Sequence, residues 1–170
     1  MNNIRHYLTL IENENTTKYY HGAKTPYKIG TTLHGRPIHH SDEESQWVET
    51  ILEQTKPHTQ LSRNKAVFMV NEPNIDTIEK VGGYPNYIYE LTPLNNTSQH
   101  DTHWWAEIYQ YAISYNETTN TELKLQMTND INQLAHNYWY SIPSHNPTWE
   151  YLTSSATISK LINGYLANIK

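Results

Sequence analysis

The sequence predicts an α+β protein, and three observations predict it. Four segments carry apolar residues at helical spacing. Short runs rich in β-branched and aromatic residues stand between and after them. The two kinds of element come in blocks (helix, strands, helices, strands), and no fingerprint of a parallel nucleotide-binding sheet interrupts that order.

From the N-terminus, Ile4, Tyr7, Leu8 and Ile11 share one face of a helix expected over residues 3–13, which reads as an N-terminal helix or leader over residues 1–17 ahead of one domain over residues 18–170. Lys18 to His21 reads as a strand stopped by Gly22, and residues 23–40 read as irregular, punctuated by Pro26, Gly30, Gly35 and Pro37. Ser41 followed three residues later by Glu44 has the form of a capping box, and Trp47, Val48, Ile51 and Leu52 then make a buried stripe that Pro57 closes. Lys65 to Val70 is a compact apolar run, read as a buried strand. Pro73 to Lys80 reads as one or two helical turns, Gly82-Gly83 as a turn and Tyr87 to Leu91 as a strand. Asp101 is placed to cap a helix whose inner face carries Trp104, Trp105, Ile108, Tyr109 and Ala112. A second helix carries Leu123, Met127, Ile131, Leu134 and Tyr138. Ser141 to Pro147 is a loop with two prolines, and Trp149 to Leu152 and Thr157 to Ile162 read as closing strands.

Composition bounds the function. A chain of 170 residues suits one core. Its formal net charge of −5 and scattered Lys and Arg argue against a nucleic-acid partner held through phosphate contacts, because such proteins show a basic patch or stripe. There is no cysteine, which excludes disulfides, thiolate zinc sites and a thiol nucleophile. No stretch of about 20 apolar residues is present to span a membrane, and the first residues lack the apolar h-region of a secretory signal. A cytoplasmic protein without a membrane partner is therefore expected, and the sequons at Asn96 and Asn116 are read as chance. With 14 Tyr and 5 Trp against a single Phe, the aromatic residues can build a core or line a pocket for a planar ligand.

The familiar site motifs are missing: no Gly-x-Gly-x-x-Gly, no Gly-x-x-x-x-Gly-Lys-Ser/Thr and no Gly-x-Ser-x-Gly. His39-His40 and His100-Asp101-Thr102-His103 lack the spacing that sets two metal ligands on one helix face, so no metal is expected. Three segments carry information together. They are Tyr19-Tyr20-His21-Gly22 at a strand end, Leu61-Ser62-Arg63-Asn64-Lys65-Ala66-Val67-Phe68-Met69 feeding a strand, and Ala135-His136-Asn137-Tyr138-Trp139 followed by Trp149-Glu150-Tyr151-Leu152. Their order and spacing resemble the ADP-ribosyltransferases, in particular small prokaryotic and phage members of the His-Gly type. The likeness covers roughly residues 18–162.

The resemblance implies an ADP-ribosyltransferase-like split β-sandwich with flanking helices, with two small, roughly perpendicular sheets and a cleft between them. It implies a mono-ADP-ribosyltransferase that takes NAD as substrate, transfers ADP-ribose to a macromolecular acceptor such as a protein, and releases nicotinamide; for a phage-encoded chain the host cytoplasm or the virion is the implied location. In that scheme His21 hydrogen-bonds a ribose hydroxyl, and Gly22 presents its backbone to the carboxamide of nicotinamide where a side chain would block approach. Arg63 pairs with the pyrophosphate through its guanidinium fork, with Ser62 positioning it or touching a ribose. Glu150 accepts a hydrogen bond from the 2′-hydroxyl of the nicotinamide ribose. Strand alternation sets Trp149 and Tyr151 on the core side and Glu150 toward the cleft. The stacking aromatic departs from the usual tyrosine: Phe68 is nearest, with Tyr27 and Tyr89 as alternatives. The position two before Glu150 is Thr148, which leaves the acceptor open, and Glu107 is a reserve carboxylate in mid-helix. An NAD glycohydrolase, an RNA 2′-phosphotransferase and a non-catalytic interaction protein on the same fold stay open beside the transferase.

Overall fold

The computed structural model describes residues 17–164, so the helix expected over residues 3–13 lies outside the described residues. Within them the chain has seven strands and four α-helices in two antiparallel sheets, the α+β class expected from the sequence. The strands are β1 (Tyr19–Ala23), β2 (Thr32–His34), β3 (Val67–Met69), β4 (Tyr87–Pro93), β5 (Ser98–Asp101), β6 (Trp149–Thr153) and β7 (Ser155–Gly164). The helices are α1 (Glu43–Thr55), α2 (Ile75–Lys80), α3 (Thr102–Glu117) and α4 (Thr121–Trp139), and a 3-10 turn spans Arg63–Lys65.

One sheet has the order β1-β4-β7-β2 and the other β3-β6-β5. They meet at a single bridge, where Tyr20 and Val70 exchange both backbone hydrogen bonds (2.7 and 2.9 Å). The main core fills the space between the sheets: Leu33, Tyr89, Leu91, Ala156 and Ile158 from the first sheet face Val67, Met69 and Tyr151 from the second. Behind the second sheet, α1, α3 and α4 pack on one another through Val48, Leu52, Ile108, Ile131, Ala135, Tyr138 and Trp139. Each such side chain taken out of water contributes about 1.5–3 kcal/mol, which is why short helices with modest propensity hold as a layer. Ile78 of α2 closes a third cluster with Tyr20, Val70 and Ile88 on the far side of the bridge.

Several expectations shift at the boundaries. The first helix of the described residues is capped by Asp42, whose carboxylate accepts from Ser45 N at 2.7 Å, and not by Ser41 with Glu44; the cap lies one residue on, so the orphan N–H group it satisfies is that of Ser45. The segment over residues 23–40 is not wholly irregular: β2 lies in it, held at the sheet edge against β7 through Leu33↔Ala156. Lys65 belongs to the 3-10 turn, so the strand starts at Val67. The strand β5 was not legible because its Ser-Gln-His-Asp sequence has no apolar alternation; pairing with β6 makes it a strand. Of the expected inner face of α3, Ile108 and Ala112 are fully buried whereas Trp104, Trp105 and Tyr109 are partly covered, and Leu123 at the start of α4 is exposed.

Candidate functional site

The site is built where the two sheets part. In the second sheet, residues alternate between the inter-sheet core and the helix layer. Met69 pairs with Tyr151 on the core side, while Phe68 pairs with Leu152, and His100 with Glu150, on the helix side. Trp149 and Tyr151 do pack on the inter-sheet core, as alternation requires, and Glu150 points the other way. That other way is not an open cleft: Glu150 is completely buried.

A network of ionisable groups surrounds it. Arg63 donates through Nη1 to Glu150 Oε1 and to the Tyr138 hydroxyl, and Tyr138 donates in turn to the same Glu150 oxygen. The other edge of the guanidinium forks onto Glu49, with Nε to Oε2 at 2.8 Å and Nη2 to Oε1 at 3.2 Å. Glu49 Oε1 also accepts from Trp105 Nε1 at 2.8 Å and lies 3.4 Å from His40 Nε2. The guanidinium carbon lies over the rings of Phe68 and Tyr138, 4.8 and 5.3 Å from their centroids. One cation thus serves two buried carboxylates. Burial pushes the Glu49 carboxyl up, but Arg63 and the N–H donors pull it down further, so Glu49 titrates below its usual range. For Glu150 burial wins over Arg63 and Tyr138, and the Glu49 charge adds to it, so its carboxyl titrates above the usual range. Glu150 Oε2 is buried with no hydrogen-bond partner among the described residues.

Beside this network lies a cavity of about 500 Å³, within the size range of ligand sites. His21, Gly22, Arg63 and Phe68 all line it; Ser62 and Glu150 do not. His21 Nδ1 is 2.9 Å from the Phe68 carbonyl oxygen, which can only accept, so Nδ1 carries the proton. Burial, more than the nearby Arg36 charge, keeps the ring's pKa below normal, so at neutral pH Nε2 is a free acceptor. Tyr27 also lines the cavity, and its backbone N–H donates to the Tyr89 hydroxyl at 2.9 Å, whereas Tyr89 itself belongs to the core.

Three residues stand differently from what the sequence suggests. Gly22 has no room for a side chain, but the space is filled by the protein: a Cβ there would lie 2.4 Å from Ile78 Cγ2 and 2.5 Å from the Tyr84 carbonyl oxygen. Arg63 is a buried strut between two glutamates, not an open fork for a pyrophosphate. Ser62 turns to Glu53, its hydroxyl donating to Oε2 at 2.7 Å, and neither positions Arg63 nor reaches the cavity. Thr148 serves the loop ahead of Glu150: its N–H donates to buried Asp101 at 2.9 Å and its carbonyl accepts from Thr102. Among the described residues Glu107 pairs with His103 alone, 3.4 Å away on the outside of α3. Glu49 is a residue of this network that the sequence reading passed over. It follows Val48 and precedes Leu52 by three positions, so it falls within the buried stripe of α1, and a carboxylate in that stripe is the signal.

His100 is a core residue: Nδ1 donates to the Tyr138 carbonyl at 3.0 Å, and Nε2 is left to accept from Ser98 Oγ at 2.9 Å. Asp101 caps α3 and holds Ser144 N at 2.7 Å, fixing the two-proline loop that delivers Glu150. Among the described residues no group of three or more His, Cys, Asp or Glu is placed to hold a metal ion. Burial pushes the His100 imidazole down from 6.5 to about 4, so the fold binds its proton less readily than the unfolded chain. The contribution of His100 to stability is then full above pH 6.5 and is lost as the pH falls toward 4. Chemical denaturation between pH 7 and pH 4 is expected to show that loss, and His100→Gln to flatten it.

Comparison of the chain with models of protein families gives no match, and comparison with curated proteins gives none either. Among the described residues no helix is long and apolar enough to cross a membrane. The site's own geometry is therefore the ground for a functional reading.

Proposed function

We propose that this chain is an NAD-dependent mono-ADP-ribosyltransferase with an ADP-ribosyltransferase-like split β-sandwich, transferring ADP-ribose from NAD to a macromolecular acceptor, a protein first, with release of nicotinamide. One observation carries the reading. His21 and Phe68, 47 residues apart in the chain, bond to each other on the wall of one cavity, and Arg63 on the same wall bonds to Glu150 buried behind it. In this reading the neutral His21 accepts a hydrogen bond from a ribose hydroxyl through Nε2, and Phe68 or Tyr27 stacks on the nicotinamide ring. Cleavage of the bond to nicotinamide develops positive charge on the ribose, as in glycoside hydrolysis. Nicotinamide leaves as a neutral base, so no general acid is needed. A fixed carboxylate in a dry site is the group such a transition state requires, and Glu150 is that group, with one oxygen still unpartnered. Of the network around it, Arg63 and His40 line the cavity, so Glu150 acts on a ligand only once Arg63 gives way.

Incubation with NAD labelled in the ADP-ribose moiety and a cell lysate tests the reading: nicotinamide release with label on macromolecules is expected. Release without label makes the chain an NAD glycohydrolase. NAD binding without any release favours a binding protein, the second reading, which the complete burial of Glu150 supports. His21→Ala is expected to weaken NAD binding by about 0.5–1.5 kcal/mol, the worth of one hydrogen bond. Titration calorimetry that finds equal affinities, with melting curves showing both proteins folded, removes His21 from the site.

A further inference from the structure

No carboxylate lines the cavity. In a chain of net charge −5, the lining holds three cationic side chains, Lys24, Arg36 and Arg63, and not one Asp or Glu. Such a lining attracts an anion, because charges of one sign around a concave surface focus their field into it. Of the three cations, Arg63 is committed: its guanidinium faces two carboxylates, and the local sum of Glu49, Arg63 and Glu150 is not positive when both acids are ionised. Lys24 lies over the Tyr84 ring, 5.8 Å from its centroid, at an exposed position.

Arg36 is exposed like Lys24 but differs from both in its setting. Among the described residues no carboxylate lies within salt-bridge distance of it. Its backbone, though in a loop, is fixed on both sides. Gly35 donates to the Ser154 carbonyl at 3.1 Å and sits so close to the 3-10 turn that a Cβ would fall 2.0 Å from the Lys65 carbonyl carbon and oxygen. Pro37 restricts the chain after it, and the Ile38 N–H donates to Asn64 Oδ1 at 3.1 Å. The loop is therefore clamped against the turn that carries Arg63. The Arg36 charge is felt at His21, where it adds to burial in holding the imidazole neutral.

We infer that Arg36, and not Arg63, holds the diphosphate of a nucleotide ligand in this cavity, with Lys24 as a weaker second cation. The guanidinium offers two parallel N–H donors to a phosphate, and no internal carboxylate has to be displaced first. The inference deepens the NAD reading by naming the anion subsite, and for its identification of the nucleotide it rests on that reading.

The test measures binding of inorganic pyrophosphate, ADP-ribose, NAD and nicotinamide riboside by calorimetry at 50 and 300 mM NaCl, with wild type, Arg36→Ala and Arg36→Lys. Wild type is expected to bind pyrophosphate and ADP-ribose, more weakly at the higher salt. Arg36→Ala should lower both affinities at least tenfold and flatten the salt dependence, Arg36→Lys should restore part of the affinity, and nicotinamide riboside, which has no phosphate, should bind all three proteins alike. If wild type and Arg36→Ala bind ADP-ribose equally, the assignment of Arg36 is overturned while the NAD reading survives. Binding of pyrophosphate and ADP-ribose that depends on Arg36, without binding of NAD, upholds the anion subsite and overturns the NAD reading. Failure of wild type to bind pyrophosphate or any of the nucleotides overturns both.

Discussion

Replacing Arg63 with methionine is expected to destabilise the fold by about 3–5 kcal/mol, the cost of leaving buried charge without its partner. Methionine keeps much of the length and apolar bulk of the arginine stem, so it still packs against Phe68 and Tyr138 and the substitution isolates the charge. What is lost is, among the described residues, the one guanidinium in contact with Glu49 and Glu150, which are 2% and 0% exposed. Glu49 would keep Trp105 and the neighbouring His40, and Glu150 would keep Tyr138. Neither set supplies a buried positive charge in contact with both acids. For a chain of this size the loss corresponds to a fall in Tm of roughly 10 °C or more. The pH dependence should change as well. Glu49 titrates below its usual range in the folded wild type, so its contribution is present above the carboxylate range and is lost as the pH falls. Without Arg63 that contribution disappears, and the deficit of the variant should shrink as the solution is made acidic. Thermal unfolding monitored by circular dichroism at pH 7 and pH 4.5 measures both effects. A variant that melts within a degree of wild type at pH 7 would mean that the network holds nothing together.

Glu150→Gln is expected to act in the opposite sense, keeping the fold and removing the chemistry. Burial and the Glu49 charge raise the Glu150 carboxyl above its usual range, so its ionised form is costlier in the folded state than in water. The amide has the same shape, its oxygen can take the place of Oε1 as acceptor for Arg63 and Tyr138, and Arg63 is left balanced by Glu49 alone. No loss of Tm is therefore expected at pH 7. If the ionised carboxylate stabilises the developing charge on the ribose, turnover of NAD should fall on the order of a hundredfold or more while NAD still binds. Nicotinamide release under saturating NAD, beside a calorimetric affinity, reads this directly. A glutamine variant that cleaves NAD at the wild-type rate removes Glu150 from catalysis, and its unpaired oxygen would then be a purely structural feature.

The sequence by itself determined the class of the fold and the positions of the long elements. Those signals are local: a stripe at helical spacing in Ile131, Leu134 and Tyr138, a cap at Asp101, an apolar run at Val67 to Met69 and alternation around Glu150 all act within a few residues. It also singled out the segments carrying His21, Arg63 and Glu150, each a weak signal alone, through their ordered resemblance to a known family, and of these His21 and Arg63 line the cavity. The polar strand Ser98–Asp101 exists only by pairing with Trp149–Thr153, and no pattern within four residues can report a partner some fifty residues away. The requirement for Gly22 is likewise tertiary, set by Ile78 and Tyr84. The same holds for charge. Arg63 and Glu150, with 87 positions between them, were read as two separate ligand contacts, and only packing turned them into one buried pair completed by Glu49. Low dielectric makes such pairing compulsory, since a lone buried charge costs several kcal/mol. The partner a buried charge finds depends on which helix lies across from it, and that is decided by the fold as a whole.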